Sequence, residues 1–204
     1  MMKHEDAVGS LIAEGFSLIH ATEFRLNREI VCDTVGVYGI LIEKATPCLH
    51  AAGFQFSHPM WCVQCFEHVY TGETFGLRGR LSHHLFGTIR DSNFRESLLA
   101  IQVASHALWQ HDDQCEWPEV LEERLTDWLN ARTMIAYKTC SFVKDVEADI
   151  LARAPSPLNI QRDHGGPNAI HLRRLRSAFR RCHGELSGKG LRRPDSAQRI
   201  GSPA

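Results

Sequence analysis

Long apolar runs are missing from this 204-residue chain; nothing in it approaches the roughly eighteen apolar residues that a membrane-spanning helix needs. The N-terminus, Met1 to Asp6, also lacks the basic-then-apolar order of a secretory signal. A cytoplasmic protein without a membrane partner is expected. A disulfide framework is missing too, because the seven cysteines (32, 48, 62, 65, 115, 140, 182) are odd in number and scattered, and read as reduced thiols or metal ligands. No internal repeat is found, which excludes a solenoid. The apolar share of 43% suits one globular domain with a core, with length to spare for extensions. Net charge is only −1, yet residues 159–204 hold ten Arg/Lys against three Asp/Glu, and residues 96–150 hold four against eleven. The basic end is suited to a polyanion.

Residue periodicity orders the chain. Val8, Leu11, Ile12, Phe16 and Ile19 recur at helical intervals and predict an N-terminal helix from Val8 to Ile19. Val35 to Ile42 is β-branched and aromatic and reads as a strand, followed by a loop-like stretch to Pro59 and a second strand from Trp61 to Thr71. Leu77, Leu81 and Leu85 mark one stripe of a helix, and Asn93 with Glu96 resembles the N-cap of a second. Pro118 starts a third, with Val120, Leu121, Leu125 and Leu129 on its apolar face. Thr133 to Phe142 is a third strand, and Val143 to Ala154 is a helix stopped by Pro155 and Pro157. Ile170 to Cys182 reads as a basic helix, and Gly184 to Ala204 as a disordered tail.

Some residues stand out chemically. Glu147 falls within the apolar stripe of Val143, Val146, Ile150, Leu151 and Ala154, where a carboxylate is costly unless paired or bound to a cation. The competing reading is a buried salt bridge or a stripe edge open to water. Arg80 and His84 lie one helical turn apart, a pair that suits a phosphate but also an ordinary solvated face. On the strands, Tyr38 shares a face with Gly36, Ile40 and Ile42, and alternation puts Tyr70 with Phe66, His68 and Gly72.

In combination these positions resemble the GIY-YIG nuclease family over about residues 34–160. Gly36-Val37-Tyr38 and Tyr70-Thr71-Gly72 are similar to its two paired motifs. Arg80, ten residues past Tyr70, and His84, four further on, match the segment that follows. Glu147 and, twelve residues later, Asn159 resemble the family's late metal-binding Glu and closing Asn. Glu122 is a weaker candidate for that Glu. The chain departs from the pattern where Val37 and Thr71 replace Ile, and in the long gap between Tyr38 and Tyr70.

The resemblance implies an α+β fold, with a small central antiparallel three-stranded sheet flanked by helices. The expected organisation is a helical extension over 1–32, a nuclease domain over 33–160 with a hairpin insertion at about 44–61, and a basic C-terminal extension over 161–204. It implies an endonuclease that hydrolyses DNA with one Mg2+ or Mn2+ on Glu147. Tyr38 would be general base for the attacking water, Tyr70 would orient water or phosphate, and Arg80 would stabilise the phosphate. His84 would accept or relay the proton, and Asn159 would brace the site. Arg173, Arg174, Arg176, Arg180 and Arg181 are candidate DNA contacts. The reading from another class is an inactive DNA-binding or interaction module on the same fold. A structural zinc site from Cys48, Cys62, Cys65 and His68 is a further option. Against it, a C-x-x-C within a strand directs its sulfurs to opposite faces unless a turn intervenes, which favours ordinary core thiols.

Overall fold

Alternating strands and striped helices assemble around one antiparallel sheet in the computed structural model, which describes residues 11–56, 61–106, 118–153, 156–159 and 166–182. The order along the chain is β1 (Ser17–His20), α1 (Ala21–Leu26), a 3-10 turn (Arg28–Ile30), β2 (Gly36–Glu43), α2 (Ala45–Ala51), β3 (Cys62–Val63), β4 (Phe66–Thr74), α3 (Leu77–Phe86), α4 (Asn93–Ser105), α5 (Pro118–Arg132), β5 (Thr133–Thr139), α6 (Val143–Arg153) and α7 (Pro167–Cys182). The sheet runs β1-β5-β2-β4-β3, every neighbouring pair antiparallel.

Three central strands, β5-β2-β4, are those expected from the sequence, but the sheet has five. The added β1 corrects the helix drawn through Ile19. Described helix covers residues 11–13 and ends at Gly15, whose φ of +82° an L side chain rarely adopts. There the Phe16 N–H donates to the Leu11 carbonyl and the Gly15 N–H to Ile12, both at 2.9 Å. Beyond the stop, Leu18 and Ile19 alternate between the two sheet faces, as strand residues do. The added β3 divides the strand expected from Trp61: Gln64, at φ +56°, turns the chain back between β3 and β4. Within the stretch expected to be loop-like, α2 forms, its Thr46 held by hydrogen bonds from N–H and hydroxyl to the Glu67 carboxylate. The tail from Gly184 lies outside the described residues.

The sheet separates two cores. One face carries Tyr38, Ile40, Ile42 and Ile135 under α1 to α5 and α7, with Leu77, Leu81 and Leu85 of α3 fully buried. Each of those leucines contributes roughly 2 kcal/mol of burial. The other face packs Val37, Leu41 and Ala136 against Leu11, Phe16 and Ile150 of α6.

Strict alternation fails in β4. Pairing steps from Ile40 opposite Tyr70 to Leu41 opposite His68, leaving Val69 as the extra residue of a bulge. Phe66 and His68 therefore turn to the second face, where Phe66 joins the smaller core and His68 lies against Gly39. Tyr70 and Gly72 stay on the face of Tyr38, so grouping Tyr70 with Phe66 and His68 is corrected by one inserted residue. Beyond the reach of β3, the outer edge of β4 is closed by a side chain. Asn159 Oδ1 accepts from the Thr71 N–H at 2.8 Å and its Nδ2 donates to the Thr71 carbonyl at 2.6 Å.

Asn159→Ala is expected to lower unfolding stability by about 1–3 kcal/mol through those two lost bonds. Urea denaturation checks this, and an unchanged midpoint would contradict the bracing role.

Candidate active site

Cross-strand register creates the centre of the site. Tyr38 lies opposite Gly72, and a Cβ added at Gly72 would stand 2.3 Å from the Tyr38 hydroxyl oxygen. The phenol thus lies over a residue that must lack a side chain. Tyr70 brings a second ring to 6.2 Å between centroids.

Helix α3 meets these rings with its polar flank. Its leucine stripe is buried, which leaves Arg80 and His84 one turn apart facing the tyrosines. His84 is fully buried behind Tyr38, its Nε2 2.6 Å from the Tyr38 hydroxyl and its Nδ1 2.6 Å from Ser92 Oγ. Ser92, not Asn93, caps α4 by accepting the Arg95 N–H at 3.1 Å. Arg80 donates to the Asp91 carbonyl at 3.2 Å, and its charge acts on both phenols. Arg78 is diverted to the Val31 carbonyl and Glu29, and His83 is exposed.

A cavity of about 1130 Å3 opens over this group, lined by Tyr38, Tyr70, Arg80, Glu147 and Asn159. Glu147 reaches it from α6, although α6 packs on the other face of the sheet, and is only 8% exposed. Its negative charge acts on Tyr70. Glu73, next to Gly72, lines the same cavity, and its Oε2 is out of contact with solvent and without a hydrogen-bond partner among the described residues. A buried carboxylate oxygen left in that state is costly. The charge, the orphaned oxygen and the all-oxygen donor set fit a hard divalent cation.

Burial sets the electrostatics. It pushes the Tyr38 phenol well above its ordinary value, the neighbouring Tyr70 adding to this and Arg80 opposing it. Tyr70 is raised for the same first reason, against the pull of Arg80. The positive charge of Arg80 beside Tyr38 does not outweigh desolvation. His84 is held well below the usual imidazole value by burial and then by the charges of Arg80, His83 and Arg95. Arg95, fully buried, is lowered to about 10 by burial despite Glu122.

The opposite wall is the basic helix, α7, packed on α4. Arg173, Arg176 and Arg180 line the cavity. Arg176 Nε and Arg180 Nη2 donate to Glu96 Oε2 at 2.7 and 2.8 Å, and Arg176 also reaches Asn93. Burial opposes ionisation of Glu96, but Arg180 and Arg176 hold its carboxyl below the usual range. Arg174 and Arg181 are exposed and do not line the cavity, and Arg181 bonds Ser177 Oγ.

Other candidates lie elsewhere. Glu122 accepts the Ile89 N–H at 2.9 Å, away from the cavity. A turn does separate Cys62 from Cys65, yet among the described residues no three His, Cys, Asp or Glu side chains converge as metal ligands. Cys48 and Cys62 are half-buried, Cys65 is exposed, and His68 bonds Thr71 Oγ1 at 2.7 Å. Residues that the sequence reading missed are Glu73, Ser92 and the Glu96 clamp. Only Ser92 carried a signal, as a strong N-cap type one position before the residue chosen.

Comparison with known proteins agrees with the geometry. The GIY-YIG catalytic domain matches residues 36–181, a span that includes β2, β4, α3, α6 and α7. No curated protein and no solved structure matches. With most of its length covered by that match, the chain belongs to the GIY-YIG family, whose catalytic domains are nucleases of the endonuclease kind.

Proposed function

We propose that this chain is a metal-dependent endonuclease that hydrolyses DNA phosphodiester bonds in the cavity between β4, α3 and α7. The observation that carries the reading is that Tyr38, Tyr70, Arg80 and Glu147, from four separate elements, line one cavity. Glu147, with Glu73 lining the same cavity, would hold one Mg2+ or Mn2+, which when bound supplies Lewis-acid charge neutralisation. Arg80 takes the non-bridging oxygens of the scissile phosphate, its planar donor fork matching the negative charge that builds as water attacks. A bond forms between the water oxygen and phosphorus as the bond to the leaving sugar oxygen breaks. Tyr38 receives the water proton, Tyr70 orients the water or phosphate, and Asn159 keeps β4 in register beneath them. Arg173, Arg176 and Arg180 bind flanking phosphates, and Arg174 and Arg181 extend that basic surface along α7.

Arg80→Ala is expected to reduce nicking of supercoiled plasmid in Mg2+ by about 100-fold or more, and Arg80→Lys to recover little of it, because an ammonium lacks the fork. Cleavage at the wild-type rate by either variant would sink the assignment.

Only the phenolate can accept a proton, and the phenol is raised above its ordinary value. The ionised fraction is therefore small at neutral pH and grows as pH rises. Single-turnover cleavage should accelerate by about tenfold per pH unit between roughly 7 and 9. A flat or falling profile across that range would exclude Tyr38 as the base.

Replacing Arg173 and Arg174 together with Ala should lower the slope of log affinity against log salt by about two. DNA binding with an unaltered slope would remove α7 from the interface.

A further inference from the structure

A buried hydroxyl has to place its proton somewhere, and Ser92 has little choice. Ser92 is 1% exposed, which leaves no solvent to receive its O–H. Among the described residues its Oγ makes two hydrogen bonds: the Arg95 N–H at 3.1 Å and His84 Nδ1 at 2.6 Å. An amide N–H can only donate, so it occupies one of the two Oγ lone pairs. The Ser92 proton is then left with His84 Nδ1 as its acceptor. If Nδ1 carried a hydrogen instead, Ser92 would face donors on both sides and its own O–H would be stranded in the core, at a cost of about 1–3 kcal/mol.

The imidazole is neutral, because burial and the surrounding cations Arg80, His83 and Arg95 disfavour a second proton. A neutral ring has a single N–H, so an unprotonated Nδ1 places that hydrogen on Nε2, 2.6 Å from the Tyr38 oxygen. The Tyr38 O–H is then left to the cavity that Tyr38 lines. Every donor in the series Arg95 N–H, Ser92, His84 then points toward Tyr38.

We infer that Ser92 is a positioning residue that fixes His84 as its Nε2–H tautomer, so that His84 donates a hydrogen bond to the Tyr38 oxygen instead of drawing off its proton. Beside the charge of Arg80, His84 supplies a hydrogen-bond donor to the phenolate and does not accept or relay its proton. The effect on cleavage rests on the nuclease reading; the tautomer rests on hydrogen bonding alone.

Two-bond proton–nitrogen correlation spectra of full-length protein labelled at its 12 histidines test this without DNA or metal. The His84 signals are assigned by their loss in His84→Gln. The wild-type protein should show a protonated-type Nε2 and an unprotonated-type Nδ1. Ser92→Ala should mix the two forms, and Ser92→Thr, which restores the hydroxyl, should return the wild-type pattern. In parallel, kcat for DNA cleavage should fall about tenfold in Ser92→Ala with KM unchanged, and recover in Ser92→Thr. A wild-type spectrum with the hydrogen on Nδ1, or a tautomer unmoved by Ser92→Ala, would overturn the proposal. The expected spectra without cleavage of DNA in any divalent cation would uphold the tautomer and reject the nuclease reading.

Discussion

The site depends on one close approach, the Tyr38 phenol laid over Gly72 by the pairing of β2 with β4. A strand partner without a side chain lets a ring enter the sheet face, with its hydroxyl held at the floor of a cavity. The Val69 bulge supports this arrangement by rotating His68 and Phe66 to the far face, which leaves Tyr70 with Tyr38. Behind the phenol, α3 presents His84 because its leucine stripe is anchored in the core. Desolvation then keeps the phenol protonated and the imidazole neutral beside the half-buried Arg80 guanidinium. On the proposed reading, Arg80 is the charge that meets the scissile phosphate.

Helix α7 changes the shape of the problem. Glu96 holds Arg176 and Arg180 against α4, and Leu172 and Phe179 of α7 enter the main core. The basic segment is therefore a wall of the cavity that Tyr38, Arg80 and Glu147 line. Ion pairs with an exposed member contribute little stability; their use here is geometric, since two guanidiniums aligned on one carboxylate already face the cavity. The family match, running to residue 181, covers the same helix.

Much of the centre was legible in the sequence because it is set by local rules. The strand pattern of Val35 to Ile42, the leucine stripe of α3 and the misfit Glu147 each follow from periodicity, and motif order joined them. Elements governed by single residues were harder to read. Gly15 ends the first helix and releases β1, although Phe16 and Ile19 continue the helical spacing. Val69 breaks an alternation that nothing in its own sequence interrupts. Glu73 drew no notice, because an acidic residue on a strand is ordinary until its oxygen is seen to be buried without a partner. The α7 arginines read as a polyanion surface, and their Glu96 partner lies some eighty residues earlier, beyond any local pattern.

On the proposed reading, one cation held at Glu147 acts on the phosphate held by Arg80. The most direct test measures Mn2+ binding by electron paramagnetic resonance and nicking of supercoiled DNA on the same preparations of wild-type protein and Glu147→Gln. The wild type should bind one ion per chain and cut, and Glu147→Gln, still folded, should lose both together. Undiminished Mn2+ binding or undiminished cutting in Glu147→Gln would contradict it.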